Sequence, residues 1–544
     1  MNMNRALQAL KFCQLLAREA EIRQLPIEQV YEEKHSTRND EKNTALAQTD
    51  ATATAQATRS QTLDHAAQHA RIAIVGAGIA GLNAALTLQD AGLPCSIYEA
   101  SNRIGGRMHS DTATWMDNQV TEWCGEFIDS DHEAIHGLIK RFGLKTIDLE
   151  QASARGAQNI TYLCKRYHSA AQMLRYFQSI YPIIQQQFEE SGFPTTYTHF
   201  TNMGYQLDHL SVYDWIERYV EGGHDAPLGH LLETACTGFY GLGTKEQSSL
   251  NLVYMFGSLA SEKRPPTSGP LRGSVKILGG NQQLPLAIAS CLPESSIKLH
   301  HQLVSIRRNG NGSVTLSFVT PDGFSDVTCD HAILALPFST LRHVDYRQAG
   351  FDALKQTAIT QLGYGTVSKL FLQFDTRYWY QKGPWPHPNS GFIITDLDIQ
   401  VLWDTSPGQT VASGVLVDYA GGSIGASYTP PAPYTTTNDA GGEKIQQYAH
   451  RCLEQLEQVF PGISPHYTGT AALSYSTGDP YLRGSYSCWA VGQYTLFGGY
   501  ERVRQGPIHF AGEHCSIEEQ GYMEGAVREG KRAAQEILQD YMLA

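Results

Sequence analysis

Gly76, Gly78 and Gly81 stand at G-x-G-x-x-G spacing, and Glu99 follows 18 positions after the last of them. Each residue type has a use at a dinucleotide. Gly76 permits a tight turn, Gly78 lets a pyrophosphate approach the backbone, and Gly81 lets a helix pack closely on a strand. A helix that starts there offers free N–H groups and the positive end of its dipole to the phosphates. Glu99 can accept hydrogen bonds from ribose hydroxyls. A second residue out of keeping with its surroundings is Lys369, in the alternating, half-buried stretch Gly365–Phe374, where an unused ammonium is costly.

The elements that would position these groups are legible around them. Ile72–Val75 is a short apolar run with the composition of a buried parallel strand. Leu82–Ala91 has helical composition, and Cys95–Tyr98 forms the next strand, ending at Glu99. Glu133–Phe142 is expected to be a helix, and 130–262 mainly helical, with Tyr176, Phe177, Tyr181, Tyr213, Trp215 and Tyr219 as packing aromatics. Strands are expected at Leu299–Ile306, Val314–Phe318 and Asp330–Leu336, the last ended by Pro337. A mixed sheet follows over 346–470, with long loops in the Gly-, Pro-, Ser- and Thr-rich stretch 405–440. His509–His514 reads as a strand and turn, and Gly521 opens a helix to about Leu538.

Several motifs together resemble the flavin amine oxidase superfamily, which includes the monoamine, polyamine and L-amino acid oxidases. They are Arg103-Ile104-Gly105-Gly106-Arg107, Gly279-Gly280-Asn281-Gln282-Gln283-Leu284-Pro285, Ala511-Gly512-Glu513 and Gly521-Tyr522-Met523-Glu524-Gly525-Ala526-Val527. The resemblance spans about residues 70–540. It implies an α/β fold with a Rossmann-like FAD-binding domain assembled from 69–129, 270–345 and 471–544. An α+β substrate-binding domain with a helical insertion would occupy 130–269 and 346–470. FAD contacts would come from Gly76, Gly78, Gly81, Glu99, Ala100, Gly105, Gly106, Arg107, Gly512, Glu513, Gly521, Tyr522 and Met523, and from the backbone of Val304 at the adenine. The N–H groups where the last helix starts could stabilise negative charge at the flavin as it is reduced.

The resemblance also implies roles in the reaction. Lys369 would hold a water near flavin N5 and aid the reaction with O2. Trp489 and Tyr522 would be the aromatic pair facing the flavin, Trp489 also walling the substrate. Cys488 lies near the place where some relatives attach flavin covalently, but the surrounding sequence differs and non-covalent FAD is expected. Amino acid oxidases of the superfamily commonly carry an Arg in a G-x-M-R segment that grips the substrate carboxylate. Here the segment is Gly125-Glu126-Phe127-Ile128. Its lack of Arg favours an amine, with Glu126 and Phe127 at the substrate and Glu126 placed to attract a cationic tail. An L-amino acid remains the alternative, its carboxylate going to Arg272 or Arg483. A flavin desaturase or isomerase is disfavoured by Lys369 and the aromatic pair.

Composition bounds the rest. A chain of 544 residues needs more than one domain. A formal charge of −13 argues against nucleic acid as a partner, and no apolar run is long enough to span a membrane. The ten cysteines are scattered with no C-x-x-C pair, so no metal or disulfide framework is expected and a reducing, cytoplasmic setting is. Residues 1–33 read as a helical segment without the apolar core of a secretory signal, and 34–68 as a flexible polar linker. The residues leave the oligomeric state open, a homodimer being compatible with them.

Overall fold

The computed structural model of the chain describes residues 70–152, 157–257 and 274–543. The helical segment expected at 1–33, the linker at 34–68 and Arg272 lie outside the described residues.

Three distant stretches of chain build one parallel sheet. Its five strands run in the order Ile508–Phe510, His331–Leu334, Ile72–Val75, Cys95–Tyr98 and Ile297–Lys298, each parallel to its neighbour. Ile72–Val75 is buried along its whole length, which is why it reads as an unbroken apolar run. The helix Ile79–Asp90 connects it to Cys95–Tyr98 and packs against the C-terminal helix Met523–Leu543. These two helices touch backbone to backbone: a Cβ on Gly530 would lie 2.1 Å from the Ala80 carbonyl oxygen.

A second, eight-stranded sheet carries most of the remaining core. Its order is Tyr434–Thr436, Tyr467–Tyr475, Ser368–Phe374, Gly414–Ala420, Val401–Asp404, Asn389–Thr395, Gln158–Leu163 and Arg166–His168. The last two come from the segment expected to be mainly helical, and Gln158–Leu163 joins parallel to Asn389–Thr395. That segment does supply the helices Ala170–Ser191, Pro227–Tyr240 and Ser249–Gly257, the first held at its start by a Ser169/Gln172 capping box. The strand Tyr467–Tyr475 runs through the boundary expected at 470. A four-stranded sheet, Gly323–Cys329, Val314–Thr320, Gln302–Arg308 and Asp345–Gln348, completes the part next to the parallel sheet.

Strand Ser368–Phe374 is buried on both faces. Leu370, Leu372 and Phe374 pack toward the helix Gly442–Val459, while Phe371 joins the core shared with the helices. That helix buries Ile445, Ala449, Cys452, Leu456 and Val459, a stripe at helical spacing. Leu456→Ala would open a cavity there costing about 2–5 kcal/mol. Lys369 shares the parity of Phe371, so the strand aims its one ammonium away from that helix.

Candidate active site

The glycine cradle comes first along the chain. Gly76 has φ +103° and a Cβ on it would lie 2.6 Å from the Ala335 oxygen, while one on Gly81 would lie 2.0 Å from the Gly76 oxygen. A Cβ on Gly78 would meet nothing within 4 Å. Two glycines are therefore demanded by packing and one faces open space, where the helix Ile79–Asp90 begins with no side-chain cap. The open edge belongs to a cavity of about 570 Å³ lined by Gly76, Gly78, Glu99, Ala100, Gly105, Gly106 and Arg107 among others. Glu99 accepts from the Ala77 N–H at 2.7 Å and from the Ser101 hydroxyl at 2.7 Å, which fixes its carboxylate on that wall. Gly105 joins the cradle through its N–H on the Ala77 oxygen at 2.8 Å.

Leu303 lines the same cavity, one residue before Val304. The ladder register between Gln302–Arg308 and Val314–Thr320 shifts between Leu303 and Ser305. Val304 is the extra residue of this bulge, out of register with the neighbouring strand.

The third stretch of chain closes the cavity. Gly512, Glu513, Gly521, Tyr522 and Met523 all line it. Arg107 donates to Glu513 at 2.9 Å and to the Ser485 oxygen at 2.7 Å. Glu513 also accepts from the Ser487 N–H and hydroxyl and from the Gly521 N–H. Burial alone would raise the Glu513 pKa, but Arg107 and these donors bring it below the ordinary value. Arg103 lines the cavity too, and among the described residues no carboxylate lies within ion-pair distance of it. His109 and His514, also on the wall, are driven to a pKa of about 3 chiefly by burial and are neutral at pH 7.

The far wall is a row across the large sheet. Tyr434 pairs with Ser474, Ser474 with Lys369, and Lys369 with Tyr419, and all four line the cavity. Trp123, Trp403, Tyr486 and Tyr522 add aromatic surface. The Tyr486 ring packs on Gly521, whose Cβ position lies 3.4 Å from it, and its hydroxyl meets Tyr419 at 3.0 Å and also donates to the Phe239 oxygen.

Three expectations are corrected here. Trp489 does not line the cavity; it packs on Tyr494 and Phe497 at 4.8 and 5.8 Å in the core under the parallel sheet. It is Tyr486, three positions earlier, that faces the cavity beside Tyr522. Glu126 does not face a substrate either. It is buried behind the wall, accepting from Lys369 at 3.0 Å, Lys276 at 3.2 Å and the Trp403 indole at 3.1 Å. Phe127 is likewise behind the wall, edge-on to Trp403 at 5.6 Å. Cys488 is fully buried near the Asn251 amide and off the cavity, whereas Ser485 lies on it, its hydroxyl buried without a partner.

Lys369 itself is on the wall and 4% exposed. Its ammonium donates to the Glu122 oxygen at 2.6 Å, the Cys124 oxygen at 3.2 Å and Glu126. An ammonium has three donors, and all are spent on protein atoms. A water held by Lys369, as expected from the resemblance, would have to displace one of them.

The residues present fit a flavin dinucleotide. The cradle is open only at Gly78, the Glu99 carboxylate stands one strand away, and the unpartnered Ser485 hydroxyl and the Arg103 guanidinium lie on the remaining walls.

Comparison with known proteins agrees with this geometry. The profile of the family described as flavin containing amine oxidoreductase matches residues 79–538. "Putative L-amino-acid oxidase YobN" of Bacillus subtilis is 29% identical over 87% of this chain and 95% of its own length. Putrescine oxidase of Kocuria rosea is 23% identical over 86% of this chain and 95% of its own. Among solved structures, cyclohexylamine oxidase from Brevibacterium oxydans superposes with a TM-score of 0.72 at 20% identity, covering 87% of this chain and 99% of that one. With the cradle, the Arg107–Glu513 clasp and the buried lysine all converging on one cavity, the chain belongs to the flavin-containing amine oxidoreductase family.

Proposed function

We propose that this protein is an FAD-dependent oxidase of a primary or secondary amine, giving an imine that hydrolyses to aldehyde and ammonia (to aldehyde and a primary amine where the substrate is secondary), with O2 reduced to H2O2. The reading rests above all on one cavity holding both the dinucleotide cradle at Gly78 and the buried Lys369 beside Tyr486 and Tyr522. Flavin, when bound, accepts the hydride equivalent from the carbon bearing nitrogen and passes the electrons to O2. The chain's own residues position and desolvate. Tyr486 and Tyr522 exclude water and present ring faces to the amine, and Tyr419 holds the Tyr486 phenol in place. Gly76, Gly78, Gly81, Gly105 and Gly106 admit the diphosphate, Glu99 takes the ribose, and the bulge at Val304 suits the adenine. Arg107, Gly512, Glu513 and Met523 support the flavin end.

The parallel sheet is read as a Rossmann-like FAD domain built from 69–129, 270–345 and 471–544. The remaining segments form the substrate domain, with the strand Tyr467–Tyr475 counted there. FAD is held non-covalently, since the one cysteine of the expected segment is off the cavity. Acid precipitation should therefore release all the flavin; flavin staying on the denatured chain would refute this. A reducing compartment suits the nine described cysteines, all free. Among the described residues no helix is long and apolar enough to cross a membrane.

A second reading is an L-amino acid oxidase, favoured by relatives so named and by Arg103 and Arg483 on the cavity wall. Anaerobic reduction of the bound flavin by matched amines and L-amino acids separates the two. Faster reduction by amines supports the first reading, and reduction by L-amino acids alone establishes the second.

A further inference from the structure

Two lysines converge on one buried carboxylate behind the cavity wall. Lys276, from the short strand Val275–Ile277, donates to Glu126 Oε1 at 3.2 Å and to the Thr405 oxygen at 2.7 Å. Lys369 donates to Glu126 Oε2 at 3.0 Å. All three side chains are nearly inaccessible, at 6%, 4% and 1% for Lys276, Lys369 and Glu126. Among the described residues the other hydrogen-bond partners on this cluster are neutral: the Trp403 indole N–H and the Glu122, Cys124 and Thr405 carbonyls. A second acid that interacts with Lys276 and Glu126 is the Glu122 carboxyl. It accepts from the Asn281 N–H and the Ser110 hydroxyl, which favour the charged form, but burial outweighs them and lifts it to about 8, so the protonated form predominates at pH 7. Glu126 goes the other way. Burial would raise it, but Lys369 and Lys276 hold it down to about 2.

An ion pair of Lys369 with Glu126 alone would present no net charge to the cavity. Lys276 changes that balance. Two ammonium groups share one carboxylate, leaving one uncompensated positive charge in a place that water does not screen. Of the three members only Lys369 lies on the cavity wall, so that is where the excess is felt.

We propose that Lys276 is a positioning residue of the flavin site, which by claiming half of Glu126 leaves Lys369 with a net positive charge facing the cavity. The proposal rests on the flavin reading of that cavity. Its consequence is electrostatic: the site favours negative charge on the flavin or on a small anion beside it, and disfavours a second ammonium on the substrate.

Sulfite tests this without any substrate, because its sulfur lone pair adds to oxidised flavin, leaves negative charge on the ring and bleaches the visible band. The holoenzyme, Lys276→Met, Lys276→Arg and the double variant Lys276→Met/Glu126→Gln would be titrated with sulfite. The wild type should bind it, Lys276→Met should bind it roughly tenfold or more weakly, and Lys276→Arg should keep most of the affinity. The double variant removes one charge of each sign, so it should regain the wild-type affinity and should fold even where Lys276→Met alone does not. A flavin-loaded wild type that takes up no sulfite, a Lys276→Met enzyme that binds as the wild type does, or a folded double variant that stays weak would each overturn the proposal. A wild-type protein that retains no flavin would instead defeat the reading of the cavity.

Discussion

Lys369 and Glu126 meet at 3.0 Å at the cavity wall, both almost wholly withdrawn from solvent. The lysine is thereby fixed as a charge rather than freed as a hydrogen-bond donor. Lys369→Met removes that charge while leaving Glu126 with Lys276, so the fold should survive. Reoxidation of the reduced flavin by O2 should slow by about tenfold or more, and anaerobic reduction by substrate should change less. Stopped-flow absorbance separates the two half-reactions; equal slowing of both would show that Lys369 acts on the substrate instead.

Glu99→Ala should weaken FAD retention while leaving the glycine cradle intact. Loss of one charge-assisted partner is worth about 1.5–3 kcal/mol, or roughly tenfold to a hundredfold in Kd. Reconstitution of apoprotein followed by flavin fluorescence measures it. An unchanged Kd would mean that Glu99 only braces Ala77 and Ser101.

Tyr486 and Trp489 should part company. Tyr486→Leu takes away a ring facing the cavity and should lower kcat/KM by about tenfold with FAD content unchanged. Trp489→Phe should cost about 1–3 kcal/mol of stability and leave the kinetics near those of the parent. The reverse pattern, with Trp489→Phe crippled and Tyr486→Leu normal, would restore Trp489 to the site.

Asp418 gives a pH signature remote from the cavity. Its carboxyl is 1% exposed, with one oxygen unpartnered and the other accepting from Tyr428 at 3.2 Å, and burial lifts it to about 8. Because the folded pKa exceeds the unfolded one, its contribution to stability is fully present below the ordinary aspartate range and is lost as pH rises toward 8. Asp418→Asn should therefore raise Tm at pH 8 and change it little at pH 4. A stabilisation of equal size at both would mean that Asp418 does not titrate on unfolding.

What could be read from the sequence was local. Gly81 is closed by Gly76 and Glu99 braces Ala77 and Ser101, all within 30 residues, whereas Gly76 also meets the distant Ala335 and Gly78 faces open space. Lys369 was legible because it breaks a strand pattern. Trp489 misled because large aromatics serve a core as well as a wall, and only the packing of the folded chain distinguishes it from Tyr486. Lys276 gave no signal, since its role depends on Glu126, 150 positions away along the chain. The row Tyr434, Ser474, Lys369 and Tyr419 was equally hidden, being a matter of register between strands. The strands at 158–168 were masked by the helical character of the chain that follows them.

The parallel sheet also sets a clock during synthesis. Ile72–Val75 leaves the ribosome early, but the edge strand Ile508–Phe510 and the helix that covers Ile79–Asp90 are made roughly 430 residues later. At about 5–20 residues per second the nascent chain waits on the order of half a minute with this sheet unfinished and the apolar faces of its first helix uncovered. Chaperones have that interval in which to shield it, and a chain that stops before residue 508 cannot close the sheet. The cavity likewise has no closing wall until residues 512–523 have been made.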